Sequence, residues 1–150
     1  ATEINLHTPA LLPESYCGDV HERLVIYKRL ANSGSENELD QLQEELIDRF
    51  GLMPEPTQTL ADSHRLRILG KPLDLLKIDA SPQAIIVQFG PDTPINPQRV
   101  IQLVQSRRHY KLAGQDKLRI EKPVANVRDR VIEIKLILRE LAPAPAKAAA

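Results

Sequence analysis

The spacing of apolar residues changes along this chain, and that change restricts the fold more than any single motif does. Between residues 19 and 69 they recur every three or four positions; from 73 to 89 and from 110 to 121 they gather into short runs; from 124 to 141 the helical period returns. Helical segments grouped ahead of hairpin-like runs do not show the regular alternation that a parallel, doubly wound sheet requires. The expected class is α+β: a single compact domain of short antiparallel strands with about five helices.

Local signals place the elements. Residues 2 to 8 alternate, with Ile4 and Leu6 on one side, and Pro9 ends the strand they predict. Asp19 and Glu22 stand at capping-box spacing ahead of a helix over 19 to 32 whose stripe is Val20, Leu24, Tyr27 and Leu30. Ser35 and Glu38 repeat that spacing before Leu39, Leu42, Leu46 and Phe50, and Gly51 sits where a left-handed cap closes a helix. A third helix, with the weaker pattern Leu60, His64, Leu66, Ile68 and Leu69, follows Pro54 and Pro56 and closes at Gly70. Leu73 to Ala80 and Ala84 to Phe89 flank Ser81-Pro82-Gln83 as a hairpin. Asn96-Pro97 opens a short helix that ends near Arg107, with Val100, Ile101 and Val104 as its buried side. Tyr110 to Leu112 and Leu118 to Glu121 form a second hairpin. The last helix carries Val124, Val127, Val131, Ile134, Leu138 and Leu141, and the Ala/Pro tail over 142–150 is expected to be disordered, leaving a domain over 1–141.

Composition removes several function classes. Twenty Lys and Arg balance twenty Asp and Glu, and aromatic residues make up 3% with no Trp, so a strongly basic footprint is missing and base-stacking platforms are scarce. The glycines at 18, 34, 51, 70, 90 and 114 are too dispersed for a phosphate loop, and no Gly-Lys-Ser/Thr occurs. No cofactor is expected in this piece. His7, His21, His64 and His109 lie far apart, without metal-ligand spacing. Cys17 has no second cysteine to pair with, which makes a cytoplasmic origin the default. As a nucleophile it needs His21 as base, yet the two straddle a helix cap; a small hydrophobe in a helix-entry turn is the simpler reading, and no catalytic residue is assigned. No apolar run suits a membrane span or a signal peptide. The chain opens on Ala1 with an alternating segment under way, as expected of a piece cut from a longer polypeptide.

The zero net charge hides a polarity. Glu36, Glu38, Asp40, Glu44, Glu45 and Asp48 occur with no Lys or Arg among them, whereas Arg107, Arg108, Lys111, Lys117, Arg119 and Lys122 face only Asp116 and Glu121 in their segment. The acidic helix is a solvated face or a docking face. The basic segment blunts a sheet edge; the alternative is a DNA-contacting module using Arg107, Arg108, Lys111 and Arg119 on phosphates.

Five separated anchors carry a family resemblance: Leu11-Leu12-Pro13-Glu14-Ser15-Tyr16, Asp19-Val20 with Arg23-Leu24, Tyr27-Lys28-Arg29-Leu30-Ala31, Glu38-Leu39, and Glu45-Leu46-Ile47-Asp48-Arg49-Phe50-Gly51 with Pro54. Their order and spacing resemble the C-terminal domain of bacterial transcription-repair coupling factors, with a departure at Cys17-Gly18, where that family often has an apolar residue and a proline. The resemblance implies a non-catalytic, cytoplasmic regulatory piece of an ATP-dependent DNA translocase, whose ATP and Mg sites lie in other modules. It implies a domain that folds back on a UvrB-like module of the same polypeptide and masks its UvrA-binding face, with RNA polymerase met only through the parent. Glu45, Asp48 and Arg49 match the charged positions expected to make that contact, and Leu46, Ile47 and Phe50 are expected in or near the core. Membrane partners are not implied, and direct DNA contact is the lesser alternative.

Overall fold

The computed structural model describes residues 1–143. Strand β1 (Glu3–Asn5) leads through residues 6–19 into α1 (Val20–Asn32), α2 (Glu36–Phe50) and α3 (Glu55–Gly70). After a short 3-10 turn, β2 (Leu75–Ala80) and β3 (Ile85–Phe89) form a hairpin; α4 (Pro97–Ser106), β4 (Tyr110–Leu112), β5 (Lys117–Ile120) and α5 (Val127–Leu141) complete the chain. The five strands make one sheet in the order β1-β2-β3-β5-β4.

That sheet is mixed, which corrects the expectation of antiparallel strands alone. β1 pairs with β2 in parallel, Ile4 opposite Ile78, while the other pairs are antiparallel. Three helices separate β1 from β2, and so long a crossover returns the chain to the end from which it started. β1 is also shorter than 2 to 8, because His7 takes a left-handed conformation at φ 53° and ends the pairing.

Two hydrophobic clusters share the interior. One lies on the covered side of the sheet, where Ile78, Val87, Leu118 and Ile120 meet Leu103 of α4 and Ile134, Ile137 and Leu141 of α5. The other fills the space between α1, α2 and the 12–17 segment, with Leu12, Cys17, Ile26, Leu30, Leu39, Leu42 and Leu46. α3 serves both, Leu66 in the first and Leu60 in the second. Contact with two layers explains its weak periodicity: Thr57, Thr59 and Ala61 are buried as well, so its covered positions spread around the helix.

Caps and faces divide the outcome. Asp19 accepts from the N–H groups of His21 and Glu22, Ser35 from that of Glu38, and Asn96 from that of Gln98. Gly51, at φ 87°, closes α2 as expected. α1, however, turns a different side inward. Leu30 is buried and Tyr27 half-buried as expected, but Val20 and Leu24 are 61% and 62% exposed and Ile26 is buried in their place. Ile26 packs into the cluster with Leu12, Cys17 and the α2 leucines, and Arg23 on the same flank donates to the Cys17 carbonyl at 2.6 Å. Ile101 is likewise exposed rather than buried. α5 starts at Val127 because Asn126 caps it, so Val124 precedes the helix. The tail expected over 142–150 lies outside the described residues from 144 onward, and no helix among the described residues is long and apolar enough to cross a membrane.

Arg67 ties α3 to the end of α1, donating to the carbonyls of Leu30 and Ser33 at 3.3 and 3.0 Å and to His64 Nδ1 at 3.3 Å. Nδ1 therefore acts as an acceptor, which requires a neutral ring. Burial, reinforced by the Arg67 charge, holds the His64 pKa below its ordinary value. Because the unfolded chain takes up this proton first, the His64 contribution is complete above about pH 6.5 and is lost as the pH falls from there through the depressed native value. Urea unfolding between pH 5 and 8 should show this loss, and His64→Gln should flatten it; an unchanged slope in the variant would dissociate His64 from the effect.

Candidate interdomain docking site

The segment carrying Glu45, Asp48 and Arg49 is the C-terminal half of α2. Its apolar side, Leu39, Leu42 and Leu46, is buried by the 3.6-residue period, and Phe50 is half-buried with its ring centroid 5.6 Å from that of Tyr16. The single Tyr16 hydroxyl proton is shared between the Gly51 carbonyl at 2.8 Å and the Leu46 carbonyl at 3.2 Å, which ties the loop to the end of α2. Leu12 is buried in the cluster below, and its N–H donates to the Tyr27 hydroxyl at 2.8 Å. The leucine and the tyrosine of the Leu-Leu-Pro-Glu-Ser-Tyr segment are thus structural: they lock the loop onto α1 and α2.

Glu45 and Arg49, one turn apart, are brought to the α1 side. Glu45 pairs with Arg29 and Arg49 with Glu22, a crossed set of ion pairs between the two helices. The Arg49 guanidinium also lies over the Phe50 ring, 4.9 Å from its centroid. Asp48 is exposed and makes no ion pair among the described residues. On the opposite flank, Arg65 of α3 reaches Glu36 at 3.0 Å and Asp40 at 2.5 Å. The acidic helix is therefore not a bare negative face, because arginines from α1 and α3 answer it. Sequence spacing showed no cation among these carboxylates; the cations come from neighbouring helices.

Ile47 and Leu52 lie on the surface beside these charges. Ile47, expected in or near the core, is 40% exposed, and Leu52, just beyond the Gly51 cap, is 87% exposed. They border a concavity of about 490 Å³ lined also by Gln43, Met53, Gln58 and Arg128. The available signal was the helical period itself, which places Ile47 away from the stripe through Leu42 and Leu46.

The other candidates are dispersed. Arg107 faces Glu140 at 2.6 Å and its guanidinium lies over the Tyr110 ring at 5.3 Å; Lys111 and Arg119 share Glu121 at 3.1 and 3.2 Å. The Glu121 carboxyl is held below its usual range, chiefly by the hydrogen bond from Lys111. Arg108 is exposed without an ion pair among the described residues. Most of the basic segment is thus neutralised from within, and Lys111 lies on β4, an edge of the sheet. Cys17 is fully buried among apolar side chains while His21 is exposed, so the two do not make a reactive pair. No cluster of three or more His, Cys, Asp or Glu that could hold a metal occurs among the described residues.

Comparisons with known proteins agree on one family. The model of the TRCF domain matches residues 6–100. Similar curated proteins include the transcription-repair-coupling factors of Escherichia coli (strain K12), at 37% identity, and of Haemophilus influenzae, at 40%, each aligned over 93% of this chain. That of Myxococcus xanthus is 34% identical over the same share. The chain spans 12% of the length of each of these relatives. In fold, it is similar to a crystal structure of the C-terminal domain of transcription-repair coupling factor, with a TM-score of 0.78 at 21% identity, covering 93% of this chain and 91% of that one.

Proposed function

Because this chain belongs to the transcription-repair coupling factor family, we propose that it is a non-catalytic regulatory domain that restrains a longer, ATP-dependent DNA translocase acting in transcription-coupled repair. It docks through the C-terminal half of α2 on a UvrB-like module of the same polypeptide and masks the surface that UvrA uses. ATP and Mg²⁺ are handled by modules outside this chain, RNA polymerase is met through the parent, and the setting is the bacterial cytoplasm.

The observation that carries this reading is the exchangeable character of the α2 charges. In the pairs Arg29–Glu45 and Arg49–Glu22 each side chain is 38 to 46% exposed. Such pairs contribute only about 0.2 to 1 kcal/mol each, so a facing surface can take over either member at little cost. Asp48 is free to pair outward. Ion pairs alone make a weak latch, and the exposed Ile47 and Leu52 supply adjoining apolar area, while tethering in one polypeptide raises the effective concentration of the docking partner. A contact of this strength holds at rest and releases on demand.

In the full-length parent, the triple reversal Glu45→Lys, Asp48→Lys and Arg49→Glu should raise UvrA capture in a pull-down by about tenfold, equivalent to opening a latch of about 1.4 kcal/mol. The isolated variant should keep its circular dichroism spectrum. Leu52→Asp, at a position with almost no contacts to lose, should act in the same direction. Unchanged UvrA capture by the folded triple variant removes the role assigned to these residues.

A further inference from the structure

Helix α5 has an inner and an outer side. Val131, Ile134, Ile137, Leu138 and Leu141 are buried in the cluster beneath the sheet. Asp129, Ile132, Leu136 and Arg139 are all exposed, and they follow one another at intervals of three, four and three residues. That spacing keeps four side chains on one face, the pattern of a seam between two helices. Its centre is aliphatic, with Ile132 57% and Leu136 45% exposed. Its ends are charged, and neither Asp129 nor Arg139 makes an ion pair among the described residues.

The charges on either side of the seam are answered within the domain. On one flank Glu133 pairs with Lys122 at 3.3 Å and Glu140 with Arg107 at 2.6 Å. On the other, Arg128 pairs with Asp62 and lies 3.8 Å from Glu55, and Lys135 acts on the same Asp62. Each flank therefore sets two anions against two cations and has no sign of its own. Selection falls to the unpaired ends: a helix covering this face must bring a cation to Asp129, aliphatic side chains to Ile132 and Leu136, and an anion to Arg139.

α5 itself has that order when it is reversed. Asp129 and Arg139 each stand five residues from Ile134, and Ile132 and Leu136 each stand two. A second α5 laid antiparallel, with a two-fold axis level with Ile134, places its Arg139 against Asp129 and its Leu136 against Ile132, and each contact occurs twice. This is the self-complementarity of an isologous interface. The helix dipoles oppose one another in the same arrangement, whereas a parallel pair would set Asp129 on Asp129 and Arg139 on Arg139.

We propose that the outer face of α5 joins two copies of this chain in an antiparallel, two-fold symmetric pair. The contact uses none of the α2 charges and does not rest on the docking described above. Four side chains from each copy make a small, transient interface, with a dissociation constant of about 0.1 to 1 mM.

Sedimentation equilibrium and NMR of the 150-residue chain between about 0.02 and 2 mM test this. The mass should rise towards that of a dimer, and the methyl signals of Ile132 and Leu136 should shift with concentration. Asp129→Arg alone and Arg139→Asp alone set like charges against each other at both ends of the seam and should each weaken association about tenfold. The double exchange Asp129→Arg, Arg139→Asp restores the opposite signs and should recover it. The double variant Ile132→Gln, Leu136→Gln, altered at exposed positions, should also lose about tenfold, and circular dichroism checks that each variant remains folded. A monomer throughout the range, as when this face meets a different partner, would overturn the proposal. So would shifts confined to other faces, single reversals that associate undiminished, or a folded double exchange that does not recover.

Discussion

Replacing Arg130 with Met is expected to destabilise the domain by about 3 kcal/mol or more, far beyond a typical single substitution. Arg130 is 1% exposed and pairs with no carboxylate among the described residues. Its Nη1 donates to the carbonyls of Val124 and Ala125 at 2.9 and 3.0 Å, and its Nη2 to the Leu6 carbonyl and the Thr8 hydroxyl at 3.0 and 3.2 Å. Burial pulls the guanidinium below its ordinary pKa, yet an arginine stays charged, so the fold bears the desolvation and offsets part of it through these four bonds, with Nε left unpaired.

Elsewhere, a buried ion pair can be exchanged for apolar residues at no loss when both partners are removed together. Here three of the four acceptors are main-chain carbonyls that no substitution deletes, so Met leaves them bare, each at a cost of about 1 to 3 kcal/mol. Lys places its donors at one point and cannot span both sides, so it should recover only part of the loss. Denaturant unfolding measures the change, and hydrogen exchange should locate the first added opening at residues 3–8, which Arg130 joins to the start of α5. A midpoint change worth less than about 1 kcal/mol in Arg130→Met would show that water replaces the guanidinium without penalty.

Gly90→Ala should cost about 2 to 3 kcal/mol through crowding. A Cβ at Gly90 would sit 2.4 Å from Asp74 Oδ2 and 2.6 Å from the Asp74 carbonyl oxygen. Neither neighbour can give way easily. The carbonyl accepts the Gly90 N–H at 2.7 Å, the carboxylate accepts the Asp92 N–H at 2.8 Å, and Asp74 is itself left-handed at φ 47°. Gly34, with nothing within 4 Å of an added Cβ, serves as the control and should change by less than about 0.5 kcal/mol on substitution by Ala. Equal midpoints for the two variants would mean that the Asp74 turn yields.

Features that depend on a few consecutive residues were legible in the sequence. Asp19, Ser35 and Asn96 cap helices because their side-chain oxygens reach N–H groups two or three residues ahead, a geometry contained within one turn. The α2 stripe was equally clear. The α1 face was misread because Val20, Leu24, Tyr27 and Leu30 and the set Ile26, Tyr27 and Leu30 both satisfy helical spacing. Packing against the 12–17 segment and α2 separates them, and it depends on where those elements lie. Glu45, Asp48 and Arg49 were placed correctly on one helical segment, but their partners Arg29 and Glu22 depend on how α1 packs against α2. The basic segment shows the same limit, since Glu133 and Glu140, which answer Lys122 and Arg107, come from α5.

The amino-acid sequence by itself determined the succession of helices and hairpins, their caps, the absence of a phosphate loop and the family, because these follow from local spacing and from short motifs. Only the tertiary structure decided that β1 joins in parallel, that Leu52 lies outside beside the α2 charges, and that a bulge turns Leu76 outward. Those outcomes arise from contacts between residues far apart in the chain, where packing selects among faces that the helical and strand periods leave equally allowed.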